Sequence, residues 1–142
     1  MGFPAYDRSA GRIVADAFGV RHATLRALIA ELEHGPRLRR ADDLAQKLGL
    51  RNRFQLAHLL MRHDLPTLVD LRAILRVVIW VQRWETHGLS LVGQALSEGR
   101  DPAAYSKTVR RVAGRPWSEI RMRGTDTVAR ALAARFRGGS QT

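Results

Sequence analysis

Apolar residues recur three and four positions apart along almost the whole chain, and glycine and proline fall between the periodic stretches. That period belongs to helices that bury one stripe and leave the other in water. No stretch alternates apolar and polar residues long enough to make a sheet. The pattern predicts an all-α protein with helices over Ala10–Phe18, His22–Glu33, Ala41–Leu48, Arg53–His63, Thr67–Thr86, Ser90–Ser97, Pro102–Ala113 and Thr125–Phe136, plus a short turn near Trp117–Arg121. The Thr67–Thr86 helix is the longest, roughly 30 Å at ~1.5 Å per residue, and Pro66 ahead of it suits a helix start.

Within this pattern lies a repeat. Asp43-Leu44-Ala45-Gln46-Lys47-Leu48-Gly49 is echoed by Gly93-Gln94-Ala95-Leu96-Ser97-Glu98-Gly99, and each is followed by a basic turn and a second amphipathic helix. Two helices that cross steeply need a small residue where their backbones approach, which suits Ala45 and Ala95. The chain must then reverse in a short turn, where a positive φ is cheap only for glycine, which suits Gly49 and Gly99. The spacing predicts two helix-turn-helix units. Leu56, Leu59 and Leu60 form the inward stripe of the first second-helix, and Tyr105, Val109 and Val112 that of the other. Asp101 is expected to cap the latter helix, with Pro102 at its first position. A third near-match, Ala15-x-x-x-Gly19 followed by Leu25 and Leu28, carries no net charge and ends on Glu31 and Glu33, so packing is expected of it.

Charge narrows the partner. Lys+Arg 24 against Asp+Glu 13 gives a net charge of +11, with a pI near 11.6. Residues 37–62 hold seven basic and two acidic side chains and residues 100–123 the same, whereas residues 1–36 are neutral and residues 63–99 carry −1. The positive charge therefore coincides with the two predicted second helices. Such clusters attract polyanions, duplex DNA first, although an all-α interaction module that binds RNA or an acidic protein has the same signature. All but Lys47 and Lys107 of the cations are arginines, which suit bidentate contacts with phosphate and guanine.

Other chemistry is not signalled. With no cysteine there is no disulfide, iron–sulfur or thiolate zinc framework. Val77–Val81 falls far short of the roughly 20 apolar residues of a membrane span. Met1–Arg8 has no basic segment leading into an apolar core, so a cytoplasmic setting is expected. The five histidines are scattered, His58 and His63 face different sides of their helix, and no phosphate-cradling glycine loop or triad spacing is present. No catalytic residue, cofactor or metal is expected. Trp80 and Trp84, one turn apart, are expected in the core.

Ser90-Leu91-x-x-x-Ala95-x-x-x-Gly99 leads into Tyr105-Ser-Lys-Thr-Val-Arg-Arg-Val-Ala-Gly114-Arg-Pro116-Trp-Ser-Glu-Ile-Arg121. With the first unit and the long helix, this resembles the DNA-binding domain of AraC/XylS-type transcriptional regulators over about Thr24–Arg121, most strongly at Gly114, Pro116 and Arg121. Against the family pattern the turn Gly49–Leu56 is one residue longer and the Gly99–Gly114 interval one shorter. Arg100 stands where the family has phenylalanine, and Leu60 where it has an aromatic. On this reading the chain divides into an N-terminal extension over residues 1–21, a first helix-turn-helix subdomain with its packing helix over 22–66, a linker helix over 67–86, a second subdomain over 87–137 and, from its composition, a flexible tail over 138–142. The resemblance also implies sequence-specific binding of duplex DNA by a monomer or weak dimer. The two recognition helices would enter successive major grooves, about 34 Å apart. Regulation of transcription, with RNA polymerase as a second partner, follows from the same resemblance.

Helical phase selects the side chains. With the leucines inward, the first recognition helix projects Arg53, Phe54, Gln55, Ala57, His58, Met61 and Arg62. Gln55 and His58 are the base-edge candidates, while Arg51, Asn52, Arg53 and Arg62 are placed to hold phosphates. Phe54 is expected to cap the core rather than meet a thymine methyl. The second helix leaves Ser106, Lys107, Arg110 and Arg111 accessible, the first three best placed for bases.

Overall fold

Ser9, Thr67 and Ser90 each accept a hydrogen bond from the backbone N–H three residues ahead, and a helix starts immediately after each. The computed structural model describes residues 8–35 and 39–137, and every regular element among them is helical. In chain order these are α1 (Ala10–Ala17), α2 (Ala23–His34), α3 (Ala41–Lys47), α4 (Arg53–Arg62), α5 (Leu68–His87), α6 (Leu91–Ser97), α7 (Pro102–Ala113), α8 (Trp117–Ile120), a 3-10 turn over Arg121–Arg123, and α9 (Thr125–Phe136). The all-α architecture is as the periodicity predicts. Arg37 of the first basic cluster and the expected tail over 138–142 lie outside the described residues, as do residues 1–7 of the expected extension.

The long helix is shifted by one residue from its predicted span. Thr67 caps it through Oγ1, 3.2 Å from the Asp70 N–H, which leaves Pro66 outside the helix and buried. At the other end Gly88 takes φ +68° and closes the helix after His87.

Helix α5 is the centre of the molecule. Leu71, Ala73, Ile74, Leu75, Val77, Val78, Trp80 and Val81 are all buried, covering more than one face of the helix. Helices α1, α2 and α9 pack on it, and so do α6 and α7. Each large apolar side chain buried this way contributes roughly 1.5–3 kcal/mol. Trp80 stacks on Tyr105 of α7, ring centroids 4.2 Å apart at 17°, and the buried Gln94 of α6 donates through Nε2 to the carbonyls of Trp80 and Leu89, both at 3.1 Å. The segment expected to link two units is thus built into one continuous core with them.

Helices α1 and α9, the first and last among the described residues, pack on each other as well as on α5. Arg8 joins them, with Nη1 2.8 Å from Asp16 of α1 and Nη2 2.7 Å from Asp126 of α9. Its carbonyl accepts from Gln82 of α5 at 3.2 Å.

Candidate nucleic-acid interface

The turns come first, because they aim the helices. Gly49 has φ +81° and Gly99 φ +68°, and the next N–H in each turn donates back to the small residue in the preceding helix: Leu50 to Ala45 at 2.9 Å and Arg100 to Ala95 at 2.8 Å. Both alanines are fully buried. The third near-match folds identically here, with Gly19 at φ +68° and Val20 donating to Ala15 at 2.8 Å. Its second helix, α2, buries Leu25, Leu28 and Ile29. Glu31 of α2 pairs with Arg39 at 2.8 Å and Lys47 at 3.4 Å, so it holds α3 in place.

The second helices differ in how their N-termini are satisfied. In α7, Asp101 accepts from Ala103 N–H at 3.0 Å, and Pro102 has no N–H to satisfy. In α4, Asn52 Oδ1 accepts from Phe54 and Gln55, at 3.1 and 3.0 Å, and Asp42 accepts from Arg53 N–H at 2.8 Å. Gln55 Oε1 turns back to accept from Arg51 N–H at 2.7 Å. These backbone donors are therefore already paired, so an anion at α4 would have to be met by side chains.

All ten residues selected from the sequence are exposed: Arg51, Asn52, Arg53, Gln55, His58 and Arg62 in the first unit, and Ser106, Lys107, Arg110 and Arg111 in the second. Their partners sort them. Asn52 and Gln55 hold the start of α4, and Gln55, the exposed base-edge candidate, has its Oε1 engaged by the Arg51 N–H here. Arg53 lies 3.8 Å from Asp42, and Arg111 lies 3.4 Å from Asp70 at the start of α5. Among the described residues, the charged ends of Arg51, Arg62, Lys107 and Arg110 have no acidic partner.

A correction concerns Phe54. It does not cap the core but stands 68% exposed, as does Met61. The core side of α4 is filled by Leu56 and Leu60, which leaves no inward position for a side chain two residues before Leu56. Leu59 is only half-buried.

A cleft of about 170 Å³ that the periodicity does not reveal lies between α2 and α5, lined by Glu31, Glu33, Arg39, Arg72, Arg83 and Glu98 among others. Its signal was present in α5, where Arg72, Arg76 and Arg83 recur at helical spacing. Arg39 pairs with Glu31, and Arg83 lies 3.8 Å from Glu98. Arg72 donates to the Arg39 carbonyl at 2.6 Å, and burial alone pushes its pKa down. Beyond α7, Gly114 ends the helix at φ +70°, and Arg121 rests over the Trp84 ring, 4.5 Å from its centre. Trp80 is core, as expected, while Trp84 is half-buried under that guanidinium.

Among the described residues no helix is long and apolar enough to cross a membrane. Comparison with known proteins brings out no matching family model, no matching curated protein and no matching solved structure.

Proposed function

We propose that this chain binds duplex DNA sequence-specifically, with α4 and α7 acting as recognition helices in successive major grooves, and that it regulates transcription as its resemblance to AraC/XylS-type regulators implies. The observation that carries the proposal is the outward face of α7, where Lys107 and Arg110 are exposed one turn apart without an acidic partner among the described residues. Unpaired cations on a helix whose other face is buried suit a groove lined by phosphates and acceptor-rich guanine edges. The net charge of +11 supplies the attraction that brings the duplex in. In this role RNA polymerase is a second partner and the cytoplasm the place of action.

Replacing either residue tests it. Lys107→Ala and Arg110→Ala are each expected to weaken binding to a duplex selected from a random pool by about 1–3 kcal/mol, roughly fivefold to 150-fold, with an unchanged melting curve. Wild-type binding should also weaken steeply with salt as counterions are released. Normal affinity in both variants at moderate salt refutes the α7 face. RNA or polyglutamate competing as well as duplex DNA at about physiological ionic strength, where long-range charge attraction is largely screened, refutes the duplex specificity.

A further inference from the structure

Aligned by their caps, Asn52 with Asp101, the two recognition helices correspond position by position. Leu56 matches Tyr105 and Leu60 matches Val109 on the buried side. On the outward side Phe54, His58 and Met61 match Ala103, Lys107 and Arg110. The same three positions thus carry an aromatic ring, an imidazole and a thioether on α4, against a methyl, an ammonium and a guanidinium on α7. Spaced i, i+4 and i+7, the α4 residues form one stripe two turns long, and both its apolar members are 68% exposed. The rim is cationic. Arg51 and Arg62 have no acidic partner among the described residues, and the Arg53 guanidinium lies 4.9 Å from the centre of the Phe54 ring.

An apolar stripe bordered by positive charge matches one feature of nucleic acid closely. The thymine C5 methyl is the apolar group on the major-groove edge of B-DNA, and it sits between two rows of phosphate. The amide that would otherwise read adenine from α4, Gln55, has its oxygen committed to Arg51 N–H. We infer that, given duplex binding as proposed above, α4 selects its half-site by contact of Phe54 and Met61 with thymine methyl groups, whereas α7 selects guanine by hydrogen bonds. Phe54 and Met61 are then the specificity-determining residues of the first unit, and His58 between them offers a ring nitrogen to the neighbouring base.

Uracil lacks only that methyl, so deoxyuridine substitution isolates the contact. In a duplex recovered from a random pool, thymines are replaced by deoxyuridine in one half-site at a time, and affinity is measured with the full chain. Each methyl contacted by α4 is expected to be worth about fourfold in affinity, from roughly 0.8 kcal/mol per buried apolar carbon, and substitution in the other half-site should change nothing. The Phe54→Ala, Met61→Ala double variant should bind the thymine and uracil duplexes alike. It removes only exposed side chains, and its circular dichroism melt checks that it remains folded. Equal affinity of the wild-type chain for both duplexes, with specific binding retained, overturns this inference and leaves duplex binding standing. Failure to bind any duplex above competitor overturns both. A double variant that still distinguishes the two duplexes overturns the inference as well.

Discussion

Glycine at positions 49 and 99 is used for its backbone conformation and not for its size. A Cβ added at either would meet no atom within 4 Å, yet both φ angles are positive. Gly49→Ala and Gly99→Ala are therefore expected to destabilise the protein by about 1–2 kcal/mol each through the left-handed φ alone. The check is a fall in the urea midpoint with an unchanged slope. These glycines, the buried alanines four residues earlier, and the Asp101–Pro102 start of α7 were legible in the sequence because each is a local demand of one turn. The fold-back of Gln55 onto Arg51 and the exposure of Phe54 were not. The first turn is one residue longer than the second, and Arg51 in it presents an N–H that finds its acceptor in Gln55 Oε1. Phe54 was misplaced because hydrophobicity argues for burial, whereas helical phase puts it nearly opposite Leu56 and Leu60.

Among the helices, α5 sets the geometry that the others share. Trp80, at its middle, touches the second unit twice, through the stack on Tyr105 and through the carbonyl that accepts from Gln94. Trp80→Ala removes the stack and opens a cavity beneath α7, with an expected cost of about 3–5 kcal/mol. Thermal unfolding of the variant measures it, and a loss below 1 kcal/mol would mean that α6 and α7 are held from elsewhere. The length and helical character of this segment followed from its periodicity. Its burial on more than one face did not, because the helices that cover it, α1 and α9, lie far from it in the chain and carry no motif that pairs them.

For the molecule as a whole, charge was legible in its distribution and hidden in its pairing. The two basic clusters could be counted from composition, but Arg111 meets Asp70 and Arg8 meets Asp126 across long stretches of chain. The Arg8 clasp has a pH signature. Its hydrogen bond to Asp16 is the largest cause holding that carboxyl below its ordinary pKa, with Arg26 adding to the effect and desolvation opposing it. A carboxyl whose pKa is lowered on folding contributes stability above its unfolded value and loses it as pH falls through the folded one. Melting temperature should therefore decline on acidification below the usual aspartate range, and Asp16→Asn should be less stable at neutral pH with a flatter acid limb. Both carboxylates are more than a third exposed, so the difference should be modest and should shrink with added salt.

The longest helix carries the second glycine-turn unit directly, through α6 and α7, and shares one apolar core with the buried leucines of the first. Swinging one unit against the other would mean sliding close-packed side chains past each other, and packed interiors resist that. Under the proposed duplex binding, a double helix whose two target windows are slightly out of phase would supply the twist and bend itself, and the stiffness of the untouched bases between them would enter the choice of site.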